Sequence, residues 1–315
     1  MSRRSACLIF NPVSGQGNSE QELNNIKLLL SPQIDLDIRL TTPETNAAHL
    51  AKEAIKRQVE SIIVSGGDGT VSAVADAVAT QKIPLGVIAR GTANAFATAV
   101  GIPEQLSLAC QTILDGKTRT IDTAKCNGRP MVLLTGIGFE AKTVENTKRE
   151  DKNRLGSLAY LISSFKQLSR WQNFNAEIET DEQIIKVSAA AITVANTAPV
   201  TSVLAQGVAE VLPHDGLLDI TIVAPENNLD SIIAAYKLYT SAREDEPVQH
   251  QNIRYLRSKK VKIKTDPPQK VVIDGEVTGT TPIELECIPQ SLIIYVPEKR
   301  NQKLPETIPA LQGKL

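Results

Sequence analysis

The stretch SIIVSGGDGT, Ser61 to Thr70, constrains this chain more than any other. A β-branched run leaves its strand through three glycines and an aspartate, then enters a helix at a threonine. Two more strands end in the same manner. Ala6 to Phe10 passes into NPVSGQG at residues 11–17, and Leu85 to Ala89 passes into RGTAN at residues 90–94. Continuous apolar strands are those buried on both faces, as in a parallel sheet. Helical spacing separates them, carried by Leu23, Ile26 and Leu30, then by Ala47, Leu50, Ala51, Ala54 and Ile55, then by Val71, Val74, Ala75 and Val78. Ile34, Leu36, Ile38 and Leu40 alternate, the mark of a strand nearer the sheet edge. Strand–helix alternation with short connections implies right-handed crossovers, and so a doubly wound parallel α/β domain, assigned to residues 1–123.

After Asp122 the pattern changes. Strand-like runs dominate, at Met131 to Thr135, Ile184 to Val194, Leu218 to Val223, Val261 to Lys264, Val271 to Ile273 and Ile283 to Glu286, and Asn127-Gly128 signals a hairpin. Helical patterns interrupt them near Leu155 to Leu168 and Leu229 to Thr240. Residues 124–298 therefore read as a mostly antiparallel β-sandwich domain, and residues 299–315 as a poorly ordered tail. No internal repeat of fixed period is present.

Composition narrows the function. A formal net charge of -1 offers no positive field for nucleic acid. Four scattered cysteines (Cys7, Cys110, Cys126, Cys287) and three histidines form no zinc pattern, so the thiols are expected to be buried and free in a reducing compartment. No signal-peptide core and no apolar run near the ~20 residues of a spanning helix occur, which places the protein in the cytoplasm or peripherally at a membrane. Oligomeric state is not legible.

Parallel sheets bind ligands beyond the carboxyl ends of their strands, where these three turns converge. Glycines let backbone amides approach an anion, and Thr70 offers a hydroxyl and helix N-terminal amides to phosphate oxygens. Asp68 repels a bare phosphate and suits a metal ion or a proton-accepting position. Each turn alone also reads as ordinary strand–helix punctuation. Neither GxxxxGK[ST] nor GxGxxG is present.

NPxSGxG, GGDGT, GTANxFA followed by GIP, NRLGSLAY (Asn153 to Tyr160), PHDGLLDI (Pro213 to Ile220) and a late DGE, in this order, resemble the diacylglycerol-kinase catalytic family, in its bacterial lipid-kinase branch. The resemblance runs from Asn11 to about Val296. It implies an ATP-dependent kinase that transfers the γ-phosphate to a lipid hydroxyl in a cleft between the domains, with magnesium as cofactor. NAD-kinase-like activity and a non-catalytic lipid- or nucleotide-binding protein are the alternatives. Carried over, Asn11, Thr41, Gly66, Gly67, Asp68, Gly69, Thr70, Ser72, Gly91, Thr92 and Asn94 form the nucleotide edge. Asp274 or Glu276 supplies the general base, with Asp68 also in the catalytic set. Asp215, with the main-chain carbonyls of Leu212 and Leu217, would hold a structural magnesium, and Asp122 matches the family's third acidic position.

The chain departs from the family's GTxND and FAR patterns, with Ala95 and Thr98 in their place. Either Asp68 and Asp122 suffice or activity is weakened or changed. Arg90, unusual before GT, either lends charge to the phosphates or is a solvated strand-end arginine. The apolar stripe Leu155, Leu158, Ala159, Ile162, Phe165 and Leu168, with Trp171 and Phe174 beyond it, either packs on the sandwich or meets acyl chains or a bilayer. Lys148, Arg149, Lys152 and Arg154 either face solvent or meet anionic head groups.

Overall fold

The chain folds around two sheets that share one core, and the strands that join them also position the site. The computed structural model describes residues 3–15, 17–138, 173–198, 211–225 and 252–298. The apolar stripe from Leu155 to Trp171, NRLGSLAY, the basic run from Lys148 to Arg154, the helical pattern Leu229 to Thr240 and the tail at 299–315 lie outside the described residues.

The first half alternates as its apolar spacing demands: β1 (Arg4–Phe10), α1 (Ser19–Leu30), β2 (Ile34–Leu40), α2 (Ala47–Lys56), β3 (Ser61–Gly66), α3 (Asp68–Val78), β4 (Leu85–Ala89), α4 (Ala95–Ala99) and α5 (Leu106–Asp115). The strands lie in the order β2-β1-β3-β4, all parallel. Helices cover both faces. Leu50, Ala51 and Ala54 of α2 and Val71, Val74 and Ala75 of α3 bury one face. Ile26 and Leu30 of α1 and Ala109 and Ile113 of α5 bury the other. This is the doubly wound arrangement, and burial on both faces explains why Leu8, Ile9, Ile62, Ile63 and Leu85 are fully inside.

The second half is antiparallel, with β5 (Thr118–Cys126), β6 (Arg129–Met131), β7 (Leu134–Gly138), β8 (Phe174–Thr180), β9 (Ile184–Ala189), β10 (Ala191–Ala195), β11 (Leu218–Val223), β12 (Ile253–Ser258), β13 (Lys260–Asp266), β14 (Lys270–Ile273), β15 (Glu276–Thr280) and β16 (Ile283–Tyr295). One sheet runs β12-β11-β10-β7-β14-β15. The other is the α/β sheet itself, continued through β16, β13, β8 and β9 to ten strands, with β5 and β6 paired beside β16. Ile137, Ile192, Ile220 and Ile273 from the first sheet meet Ile178, Ile263 and Leu285 from the second in one apolar layer, which makes the sandwich.

Three expected strands have different limits, each for a physical reason. Met131 to Thr135 is not one strand: β6 ends at Met131 in one sheet and β7 begins at Leu134 in the other. Ile184 to Val194 breaks at Ala190, where the chain likewise changes sheet and the Ala190 amide donates to the Val223 carbonyl at 2.8 Å. The strand expected at Ile283 to Glu286 runs on to Tyr295, through an irregularity between Ile288 and Leu292. That length matters. One end of β16 pairs with β13 of the sandwich, while Ile294 lies beside Leu85 of β4 in the α/β sheet. The Asn127-Gly128 hairpin forms between β5 and β6, with φ of 49° and 76° at its two turn residues.

Candidate active site

The three glycine turns leave the sheet side by side, because Phe10 pairs with Ser65 and Gly66 with Ala89. Backbone bonds stitch their starts together. The Asn11 amide donates to the Ser65 carbonyl at 2.9 Å, the Arg90 amide to the Gly66 carbonyl at 2.8 Å and the Thr41 amide to the Phe10 carbonyl at 3.0 Å. Side chains finish the join. Asn11 Nδ2 donates to Thr70 Oγ1 at 2.8 Å, and the Gly67 amide donates to Ser14 Oγ at 3.2 Å. Gly91 approaches so closely that a Cβ there would stand 3.0 Å from Gly67 Cα and 3.1 Å from Asn94 Oδ1, so a larger residue would have to push a neighbour aside by a few tenths of an ångström. The Gly91 amide in turn donates to Asn94 Oδ1 at 2.7 Å.

Helix α3 starts at this edge with Gly67 as its cap residue and no side-chain cap. Its positive end is therefore open to an anion. Gly69 lies in the first turn of α3. A Cβ there would meet a single group within 4 Å, Glu276 Oε1 at 3.8 Å. The carboxylate of the late DGE motif thus stands over the GGDGT turn.

The DGE hairpin separates its two acids. Asp274 and Gly275, at φ of 48° and 87°, form the turn between β14 and β15. Asp274 Oδ2 accepts the Val132 amide at 2.9 Å, and Oδ1 accepts the Leu133 and Leu134 amides at 2.9 and 3.0 Å. Burial pushes the Asp274 carboxyl up to about 6, against the pull of those amides. Ser72, on α3, has its hydroxyl buried. Glu276 is exposed and has no such ties among the described residues.

Asp68 sits differently from a free metal ligand. Its Oδ1 accepts the Phe96 amide at 3.2 Å, at the start of α4, and the Ala95 and Asn94 amides also act on the carboxylate. Burial raises its pKa and these amides oppose the rise. Asp68 thereby caps α4, whose preceding Asn94 is in the left-handed region at φ 48° and does not cap it. Thr41 is half-buried at the end of β2, and Thr92 is exposed in its turn. Neither side chain bonds the other loops among the described residues.

The structure collects the remaining assigned residues at a different place. Asp122 is 1% exposed, its Oδ2 accepts the Gly216 amide and its Oδ1 the Gln290 amide, each at 2.7 Å. Asp215 Oδ1 accepts the Leu217 amide at 3.0 Å, and its Oδ2 lies 3.4 Å from Arg257 Nη1. Arg257 Nε also donates to Asp219 Oδ1 at 2.8 Å, an oxygen that Tyr255 shares. Burial pushes Asp219 up to about 6, and its Oδ2 is buried without a partner. Asp122, Leu212, Asp215 and Leu217 therefore belong to one neighbourhood, but its carboxylates are taken by backbone amides and an arginine. Among the described residues no group of three or more His, Cys, Asp or Glu side chains can hold a metal ion.

The expectations for Arg90 need correction. It is neither solvated nor aimed at an open phosphate edge: it is buried and paired with Glu22. Ser14, Glu22, Asn196 and Arg257 are the organising side chains that the sequence reading passed over. Ser14 lies inside NPVSGQG and was within reach of a closer reading of that motif. Glu22 and Asn196, whose Nδ2 donates to the Asp122 and Val132 carbonyls at 3.0 and 3.1 Å, carry no local signal. All four cysteines are buried and free, as expected. No helix among the described residues is long and apolar enough to cross a membrane.

The site thus combines a parallel α/β sheet edged by glycine turns with a carboxylate from an antiparallel sheet. The diacylglycerol kinase catalytic domain matches residues 5–126, and the YegS C-terminal NAD kinase beta sandwich-like domain matches residues 134–296. The chain belongs to the diacylglycerol-kinase-like lipid kinase family. An uncharacterized protein from Synechocystis is 48% identical over 93% of this chain and 70% of its own length. The diacylglycerol kinase of Bacillus subtilis is 28% identical over 95% of this chain and 98% of its own. A crystal structure of a diacylglycerol kinase from Bacillus anthracis shares the fold, with a TM-score of 0.73 at 24% identity over 94% of this chain and 98% of its own. Another from that organism reaches 0.79 at 26% identity over the same shares.

Proposed function

We propose that the protein is an ATP-dependent kinase that phosphorylates the hydroxyl of a lipid such as diacylglycerol, with Glu276 as the general base. The observation that carries this is Glu276 Oε1 standing over Gly69, 3.8 Å from where a Cβ would project. A phosphate held at the open end of α3 and a hydroxyl presented to Glu276 would meet there. Phosphoryl transfer asks chiefly for positioning and charge stabilisation, which the joined glycine turns suit. ATP supplies the transferable γ-phosphoryl group. Glu276 takes the hydroxyl proton as the new oxygen–phosphorus bond forms and ADP departs.

Asp274 does not compete for this role in our reading. Its carboxylate is spent on three amides, so it fixes the crossing at 132–134 and aims the hairpin that carries Glu276. Asp68, in the first turn of α3, is an oxygen donor of the kind a magnesium ion requires, and in this reading the ion would arrive with the nucleotide's phosphates and leave Glu276 free as the base. Magnesium would there neutralise phosphate charge. Asp215 suits a structural metal less well, because Arg257 already supplies its positive partner.

Labelled ATP offered with a mixed lipid extract, and separately with NAD, tests the assignment. Label is expected in the lipid phase with wild type and lost with Glu276→Gln. Label confined to aqueous NADP would overturn the lipid acceptor. An equal background from wild type and Glu276→Gln, with ATP and lipid still bound, would leave a binding protein.

A further inference from the structure

Arg90 joins β4 to the third glycine turn, yet its side chain is 4% exposed. Its guanidinium uses all three nitrogens. Nε donates to Glu22 Oε2 at 2.7 Å, Nη1 to the Asn11 carbonyl at 3.0 Å and Nη2 to the Ser14 carbonyl at 2.9 Å. The group also lies over the Phe10 ring, 4.2 Å from its centroid.

The first loop is wrapped around this pair. A Cβ on Gly15 would stand 3.3 Å from the Arg90 carbonyl and 3.4 Å from Nη2, and Gly15 is held at φ 92°. A Cβ on Gly17 would stand 3.0 Å from Glu22 Oε1. Glu22 itself is placed by α1, whose cap Asn18 accepts the Glu20 and Gln21 amides.

Two consequences follow from the charges. A guanidinium already neutralised by a carboxylate and satisfied by two carbonyls has little attraction left for a phosphate. It does, however, draw inward two carbonyl oxygens that would otherwise repel one. With those carbonyls fixed, the side chains of the same residues are presented to the neighbouring turn, Asn11 to Thr70 and Ser14 to the Gly67 amide. Lysine cannot replace this fork, because a single ammonium does not span three acceptors in one plane.

We infer that Arg90 and Glu22 form a clamp that locks the first loop to the GGDGT turn and so sets the affinity for a nucleoside triphosphate, with Arg90 making no contact to the phosphates. This rests on the kinase reading above. Arg90 and Glu22 are positioning residues, outside the reacting groups.

The test compares Arg90→Lys, Glu22→Gln and the double variant by steady-state kinetics and by amide hydrogen exchange. Each single variant is expected to raise KM for ATP about tenfold, with kcat changed far less. Exchange over residues 11–17 and 66–70 should rise in both, and the double variant should be no worse than the worse single, because both break one unit. Glu20→Gln, exposed on the same helix turn, should leave all readouts at wild type.

Lower melting temperatures with unchanged KM would overturn the proposal, reducing the pair to a structural ion pair. Tighter ATP binding by Glu22→Gln would also overturn it, since a freed guanidinium would then be contacting phosphate. A wild type that binds no ATP would overturn the kinase reading and the affinity half of this inference, while raised exchange in the variants would still establish the clamp. Arg90→Lys faces the greater risk of misfolding. Glu22→Gln, at a 30% exposed side chain, keeps the test decisive.

Discussion

The DGE hairpin and the HDGLL turn are both acidic, glycine-containing turns of the sandwich, and their carboxylates have opposite fates. Around HDGLL each acid is tied: Asp122 of β5 to two amides, Asp215 of the turn to an amide and Arg257, and one oxygen of Asp219 of β11 to Arg257 and Tyr255. At DGE one acid is committed, Asp274, and the other, Glu276, is exposed over Gly69. A carboxylate bound by backbone amides has its position fixed and its lone pairs occupied. One without such ties is able to accept a proton. Commitment, and not acidity, separates the two turns.

The largest effect should come from Glu276→Gln. A positioned general base contributes about 10²–10⁴ in rate, and kcat should fall by that order while the melting temperature stays near wild type, because Glu276 is exposed. A variant that keeps full activity would erase the contrast between the turns.

Asp122→Ala should do the reverse. Two amides at 2.7 Å would lose their acceptor in a buried place, costing on the order of 2–4 kcal/mol of stability by denaturant unfolding. Activity per folded molecule, measured at low temperature, should change much less than with Glu276→Gln.

Asp274 provides a pH test. Its folded-state pKa is raised, to about 6 from 3.8, so its favourable contribution is fully present below about pH 4 and is lost as pH rises through about 6. Wild type should therefore lose stability relative to Asp274→Asn between pH 4 and pH 7, by up to about 3 kcal/mol at 1.36 kcal/mol per unit. Parallel pH profiles for the two proteins would show that the amides fully offset burial at this carboxylate, and a wild type that gained stability over this range would show that they outweigh it.

The smallest expected effect belongs to Ala95→Asp. A second carboxylate would enter beside Asp68, whose Oδ1 already serves the start of α4. Activity should remain within a few-fold of wild type or rise, and melting temperature should shift by a degree or two, a change of order 0.5 kcal/mol. A hundredfold gain would mean that the acid absent at position 95 limits the rate.

Much of this was legible along the chain because it rests on local rules. Apolar spacing placed α1, α2 and α3 between buried strands, and Asn127-Gly128 announced its hairpin. The glycine turns were legible as strand–helix turns, while their close approach to one another, as of Gly91 to Gly67, depends on the strand pairing. The sheet crossings at 132–133 and at Ala190 were not legible. Both lie within apolar runs, and the groups that receive them, the Asp274 carboxylate and the Val223 carbonyl, are far along the chain.

The sequence by itself determined the family and the alternation of the first domain, and it named candidate residues for the chemistry. Tertiary structure decided what those residues do. Nothing local in DGE distinguishes Asp274 from Glu276, because the amides that bind Asp274 lie 140 to 142 residues away. Nothing local shows that Arg90 is neutralised, since Glu22 is 68 residues away. Hydrogen bonds and ion pairs form where backbones converge, and that convergence is set by strand pairing, as when β16 brings Ile294 to Leu85. A side chain's type fixes its pKa range and its donors; its neighbours fix whether those donors and lone pairs are still available.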